Sequence, residues 1–368
     1  MMKTILITGG AGFIGCHLAA ALLAKGYAVR VLDNLIDQVH KTKTAVRLPD
    51  AVSFHEGDIR DADKVAQALS GVDGVVHLAA EVGVGQSMYA IDRYVSVNDY
   101  GTAVLFQQLI EQPVKRVVVA SSMSIYGEGL YRRADGTLVE DAVRVQGAPG
   151  QWDPTDADGV AFTPLPTPES KRPSLASVYA LSKYVQERLT LTLCAAYGME
   201  GVALRLFNVY GPGQALSNPY TGVLAIFASR LLNGRAPLVF EDGEQRRDFV
   251  HVADVARAFV LALEHPEAAG QAYNIGSGDH RTIAEVARVL AAAMGRPEIE
   301  PEITGKARAG DIRHCFADIT EAEAKLGFRA SRDFSDGLAE LAEWVAQQQA
   351  VDHAEDARRE LEARGLVA

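Results

Sequence analysis

The chain has 368 residues, 48% of them hydrophobic and 23% charged, with a formal net charge of −11 at pH 7. That length holds one large or two modest domains around a real core. The mix is that of an ordinary globular protein, and the acidic balance argues against nonspecific binding to nucleic acid or an anionic membrane while leaving room for a local basic pocket.

In chain order, "KTILITG" reads as a short buried strand bounded by glycine, and "FIGCHLAAALLAKG" has helical apolar spacing that closes at Gly26. "AVRVLDN" and "VSFHEGDI" are the second and third strands, "KVAQALSG" is a helix and "GVVHLAA" a fourth strand. A helix through "VNDYGTAVLFQQLIEQ" leads to the strand "KRVVVASS". Strands of near-continuous apolar character alternating with helices predict an α/β fold, with a parallel sheet covered on both faces. Residues 128–172 break this rhythm: they are rich in Pro, Gly and Asp and lack periodicity. They read either as a lid over the site or as a solvated loop. Alternation resumes less regularly to about residue 348, and "HAEDARRELEARGLVA" reads as a charged surface helix without a site signal.

The first strand-to-helix turn, "ITGGAGFIGCH", carries Gly9, Gly12 and Gly15. Glycine there lets the backbone turn tightly and approach a pyrophosphate, which the following helix N-terminus would face with free N–H groups. The second strand ends at Asp33 and Asn34, about 20 residues on, where a carboxylate would take the adenosine ribose hydroxyls and repel a 2′-phosphate. This spacing favours NAD over NADP. Asp58 and Ile59 of "GDIRD" are placed for an adenine contact, with helix capping the alternative for Asp33 and Asp58.

Of the twelve tyrosines, only Tyr179 has a lysine, Lys183, four residues later. On a helix that spacing puts both on one face, where the ammonium would lower the phenol towards a range useful for proton abstraction. Upstream, "SSMSIYG" (121–127) crowds hydroxyls at a strand end.

Cys16, Cys194 and Cys315 are scattered, odd in number and without metal spacing, and the nine histidines show none either. Neither a disulfide framework nor a metal site is expected, and the expected location is the reducing cytoplasm. The opening segment superficially resembles a secretory signal, but its glycines interrupt it early, and no apolar stretch approaches membrane-spanning length.

"TGGAGFIG", "SSMSIYG", "YALSK", "LRLFNVYGPGQ", "RRDFVHVADVA", "YNIGSG" and "RAGDIRHCFAD" together resemble the nucleotide-sugar epimerases and dehydratases of the extended short-chain dehydrogenase/reductase family, over residues 4 to about 328. The resemblance implies a Rossmann-type doubly wound parallel sheet with a smaller C-terminal substrate-binding lobe. The NAD-binding domain would span 1–205, interrupted by 128–172 and rejoined by 250–276. The nucleotide-sugar lobe would span 206–350. It implies NAD as cofactor, a nucleoside-diphosphate sugar as substrate and a homodimer, with neither nucleic acid nor membrane as partner.

By the same resemblance Ser122, Tyr179 and Lys183 are catalytic: Ser122 hydrogen-bonds the reacting sugar hydroxyl, Tyr179 takes its proton and Lys183 holds the nicotinamide ribose and the phenolate. Ser121 would satisfy backbone groups at the strand end. The cofactor set is Gly9, Gly12, Phe13, Ile14, Gly15, Asp33, Asn34, Asp58, Ile59, Leu78, Ala79, Ala80 and Asn98, besides Tyr179 and Lys183, with Gly83 allowing close approach. For Asn98, support of the active-site helix is an equal alternative. Substrate contacts fall to Ser122, Ser124, Asn208, Arg247 and Arg308, and to Phe240 unless it is core packing.

The family's dehydratases carry acidic residues after the catalytic hydroxyl, where this chain has Met123 and Ser124, neither an acid nor a base near neutral pH. What remains is 4-epimerisation. "EVGVGQSMY", "NVYGPGQALSNPYTGVLAIF" and "GDIRHCFADI" resemble a bacterial subgroup acting on dTDP-L-rhamnose to give dTDP-6-deoxy-L-talose, with a UDP-hexose 4-epimerase as the alternative and a dehydratase or reductase further off.

Overall fold

The computed structural model describes residues 3–40, 48–144, 150–220, 222–308 and 310–367. Seven parallel strands form the central sheet: β1 (Thr4–Thr8), β2 (Ala28–Asp33), β3 (Ser53–Glu56), β4 (Gly74–His77), β5 (Arg116–Ser122), β6 (Glu200–Leu206) and β7 (Gln271–Ile275). Their spatial order is β7-β6-β5-β4-β1-β2-β3. The chain builds outward from β1 to β3, then crosses back to β4, so the order reverses between β1 and β4. A doubly wound sheet opens its crevice there, beyond the strand C-termini.

Alternation along β1 shows why both faces are buried. Ile5 and Ile7 sit in one core cluster with Leu18 and Leu22 of α1 (Phe13–Ala24) and Val255 and Phe259 of the helix Val252–Glu264. Leu6 points into the opposite cluster, with Val65 and Leu69 of α2 (Ala62–Leu69) and Leu105 and Leu109 of α3 (Gly101–Glu111). All three β1 side chains are fully buried, and each such burial stabilises by ~1.5–3 kcal/mol. α4 (Val178–Ala196) packs against β5 and β6. Asp61 caps α2, accepting from the N–H groups of Asp63 and Lys64, so the capping alternative for Asp58 does not hold.

A second core joins Leu224 and Phe227 of the helix Val223–Leu232, Leu290 of Ile283–Ala293 and Leu341 of Phe334–Ala346. Part of the break at 128–172 is built into short strands; residues 145–149 lie outside the described residues. Leu130–Arg132 pairs antiparallel with Leu138–Val139 and Thr163–Leu165. Between these strands Asp153 accepts from Arg313 at 2.8 Å and pairs with His314 at 2.9 Å, tying the segment to the chain near its C-terminal part. No described helix is long and apolar enough to cross a membrane.

Candidate active site

A cavity of about 890 Å³ lies at the switch point. Its floor is the turn after β1. Gly9 has φ +68°, and a Cβ there would stand 2.7 Å from the Ala79 backbone nitrogen; a Cβ on Gly15 would stand 2.4 Å from the Gly10 carbonyl oxygen. These glycines are therefore required by a positive φ and by close approach of α1 to the turn. Gly12 precedes α1, and no side chain caps the helix. The first turn thus presents free N–H groups and the positive dipole end to the cavity.

The expected cofactor residues largely converge. Gly9, Gly12, Phe13, Ile14 and Gly15 line the cavity from the turn, Asp33, Asn34 and Ile59 from the ends of β2 and β3, and Leu78, Ala79, Ala80 and Gly83 from the segment after β4. Asp33 also braces the backbone around it. One of its carboxylate oxygens accepts from the Ala11 N–H (3.0 Å) and the other from the Leu35 N–H (2.8 Å). It buttresses the glycine turn rather than capping a helix, and holds Leu35 at φ +52°. Asp58 lies outside the lining. Hydrogen bonds from Arg60 hold its carboxyl down at about 2, against the opposing effect of burial, and Asn34 Nδ2 also donates to it at 2.9 Å. Asn98 is buried away from the cavity. Its Oδ1 accepts from Glu81 N–H (2.7 Å) and its Nδ2 donates to Ser182 Oγ (2.9 Å), which is the helix-supporting alternative.

On the opposite wall stand Ser122, Ser124, Tyr179 and Lys183. Ser122 ends β5 and caps the turn Met123–Tyr126, its Oγ accepting from Ser124 N–H (3.2 Å) and Ser124 Oγ (2.9 Å). Ser121 also borders the cavity, but its hydroxyl donates to Glu187 at 2.6 Å, so it serves a buried carboxylate and not backbone groups. Ser177 caps α4, and Ser87 Oγ accepts the Tyr179 N–H at 3.0 Å. Tyr94 packs edge-on against the Tyr179 ring, centroids 6.4 Å apart.

The electrostatics depart from the sequence expectation in one respect. Burial pushes the Tyr179 phenol up, and a hydrogen bond with Ser122 partly offsets it. Lys183 does not hold the phenol down: its ammonium donates to Gln186 Oε1 at 2.7 Å. Burial brings Lys183 down to about 7, with Glu187 opposing the shift. A desolvated lysine near its midpoint, beside a buried phenol, suits proton transfer near neutral pH.

Among the expected substrate residues, Asn208 lines the cavity and its Oδ1 is buried without a hydrogen-bond partner. Such an orphan acceptor fits a ligand donor. Arg247, Arg308 and Phe240 stand off the lining. Arg308 donates to Asp311 (2.9 and 3.1 Å) and lies 4.5 Å over the Phe240 ring, and Arg247 bonds the carbonyls of Arg246 and Arg313 with Asp311 3.5 Å away. The hydrogen bonds and ion pairs these guanidiniums make go to one carboxylate and to main chain.

Sequence reasoning missed other walls. Gln214, from "YGPGQ", lines the cavity with an orphan Oε1, and Trp344 and Gln349 close another side. The C-terminal helix Ala354–Ala363 is not merely surface. Lys306 pairs with Glu362 at 2.8 Å, Arg364 stacks over Tyr89 at 4.4 Å and Val367 bridges to Arg308. The sequence shows only the charge run there, and a charge run names no partner.

The fit to a dinucleotide rests on this geometry: an uncapped helix N-terminus, a turn of three glycines and an alanine, and a carboxylate at the end of β2. Comparison with known proteins agrees. The NAD dependent epimerase/dehydratase family matches residues 5–144 and 160–276. A dTDP-L-rhamnose 4-epimerase of Burkholderia thailandensis is 37% identical over 353 residues, covering 94% of this chain and 96% of that protein. A UDP-glucose 4-epimerase of Thermotoga maritima solved with UDP-glucose superposes with a TM-score of 0.77 at 32% identity, covering 94% of this chain and 99% of that one. The Thermus thermophilus UDP-glucose 4-epimerase solved with NAD gives 0.75 at 31%, covering 94% and 100%.

Proposed function

This chain belongs to the NAD dependent epimerase/dehydratase family, with NAD as its cofactor, and from that premise we propose that it is an isomerase that inverts C4 of a nucleoside-diphosphate sugar, converting dTDP-L-rhamnose to dTDP-6-deoxy-L-talose. NAD, when bound, would supply reversible hydride transfer at C4 of the sugar. Tyr179 takes the proton of the C4 hydroxyl and gives it back after the sugar has turned. Ser122 orients that hydroxyl, and Lys183 holds the nicotinamide ribose. Gly9, Gly12 and the first turn of α1 receive the pyrophosphate.

The observation that carries the reaction class is the makeup of the wall beside Ser122. Met123 and Ser124 line the cavity there, and neither side chain removes or delivers a proton at neutral pH. Elimination of water across C5–C6 lacks its acid and base at these positions, whereas epimerisation needs none beyond Tyr179 and Ser122. The orphaned oxygen of Asn208 supports nucleotide-sugar binding. Arg247 and Arg308 would turn from Asp311 to the diphosphate, for which guanidinium forks are suited.

The sugar is supported by the relative from Burkholderia thailandensis and by the motif wording. UDP-hexose 4-epimerisation is the second reading, supported by the structural neighbours solved with UDP-glucose and with NAD. Incubating the purified protein with dTDP-L-rhamnose and with UDP-glucose, and reading products by NMR, separates them. The expected result is a dTDP-6-deoxy-L-talose signal and no UDP-galactose. A dehydrated product would overturn the reaction class.

A homodimer is part of this reading. Ile91, Val95, Tyr100 and Leu181 are 42–58% exposed at and beside the starts of α3 and α4, and burying them against a second copy is favourable. Sedimentation should return twice the 39.5 kDa chain mass; a monomer at micromolar concentration would refute this.

A further inference from the structure

We propose that Gln186 is a positioning residue for the reaction: its amide, oriented by Thr102 behind it and packed against His77, fixes where the Lys183 ammonium stands at the cavity wall and how firmly it keeps its proton. The inference rests on the reading of Lys183 as a participant in the reaction.

Hydrogen-bond polarity fixes the orientation of the Gln186 amide. An ammonium only donates, so Gln186 must offer Lys183 its carbonyl oxygen, 2.7 Å away. Its amino group then faces the other way, donating to Thr102 Oγ1 at 2.9 Å and meeting His77 Nε2 at 3.1 Å. The Thr102 hydroxyl commits its own proton to the Asn98 carbonyl and so accepts from Gln186. His77 Nε2 also stands 2.9 Å from Thr102 Oγ1 and Nδ1 stands 2.7 Å from Thr8 Oγ1, so the ring is bonded at both nitrogens in either tautomer: with the proton on Nδ1 it donates to Thr8 and accepts from Gln186, and with the proton on Nε2 it donates to Thr102. Burial, reinforced by the charge of Lys183, brings His77 down to about 3, so it stays neutral over the working range.

The chain of contacts runs from Thr8, the residue before Gly9, through His77 and Gln186 to Lys183. It joins the cofactor turn on β1 to the reacting helix α4 across β4. His77, Gln186 and Lys183 are all buried. The titratable groups facing Lys183 are His77 from β4, and Tyr179 and Glu187 from its own helix. Glu187 is committed to Arg205 and Ser121, with bonds of 2.7 and 2.6 Å. Gln186 is therefore the group that accepts the Lys183 ammonium directly, and removing it strands a buried charge.

The test is an NMR titration of Lys183 in the full chain labelled with 13C at lysine Cε, as purified and with NAD added, the resonance assigned by Lys183→Met. Gln186→Leu should lower the Lys183 midpoint by about one pH unit, the loss expected when a charged donor forfeits its acceptor. Gln186→Glu places a carboxylate at the same spot and should raise it by at least as much. In turnover assays the pH at which activity falls as Lys183 deprotonates should move in the same two directions. Should the leucine variant fail to fold, the near-isosteric glutamate variant carries the test. A Lys183 midpoint unmoved in the glutamate variant overturns the proposal. The reaction reading fails separately: wild-type protein that turns over no nucleotide sugar sinks the epimerase while leaving the titration result intact.

Discussion

Tyr179→Phe should lose at least ~100-fold in turnover, the usual scale for a positioned acid–base group, while NAD stays bound. The substitution removes one oxygen and leaves what holds the ring in place: the edge contact with Tyr94 and the Ser87 hydroxyl on the Tyr179 N–H. The cavity floor is built by other elements, so bound nucleotide, read by absorbance after denaturation, should match the wild type. The phenol is raised by burial and Ser122 only partly offsets this, so the site depends on cofactor and substrate arriving to favour the phenolate. Turnover within a few-fold of wild type would remove Tyr179 as the base.

Arg205→Leu should destabilise the protein by ~3–5 kcal/mol, the cost of leaving one member of a buried ion pair without its partner. Glu187 on α4 and Arg205 on β6 are 1% and 8% exposed at the side chain, and Arg205 meets both carboxylate oxygens, at 2.7 and 3.0 Å. Arg205 also donates to the Tyr126 hydroxyl and the Glu169 carbonyl, so the loss spreads to the turn after Ser122. Replacing both residues, Glu187→Leu with Arg205→Leu, should recover much of the loss, because no lone charge remains. Urea midpoints of the two variants check this. A single variant within ~1 kcal/mol of wild type would show that water or a neighbour compensates Glu187.

Both predictions concern α4, and they mark where reading the chain succeeds and where it stops. Ser122, Tyr179 and Lys183 are recognisable from spacing and resemblance, and the structure brings them to one wall opposite the glycine turn. The partner of Lys183 is not recognisable. A glutamine three residues after a lysine is commonplace on a helix, and His77 lies 109 residues from Gln186. A hydroxyl at a strand end suggests that Ser121 satisfies backbone groups; its partner, Glu187, is 66 residues away. Arg247 and Arg308 come from separate segments yet gather at Asp311, an arrangement no local pattern announces.

What the sequence determined by itself are properties that repeat or constrain locally. The period of apolar residues fixes strand or helix, and continuous apolar strands require a sheet covered on both faces. Glycine at positions 9 and 15 follows from a positive φ and a close approach that no side chain permits. Tertiary structure alone decided which distant groups share a hydrogen bond, because strand order sets β4 beside β1 and carries His77 to α4. It also decided that Leu130–Arg132, Leu138–Val139 and Thr163–Leu165 form their own sheet and that Val367, beyond the C-terminal helix, bridges to Arg308. The break at 128–172 has no period of its own, and the helical period near the C-terminus does not name the surface it packs on.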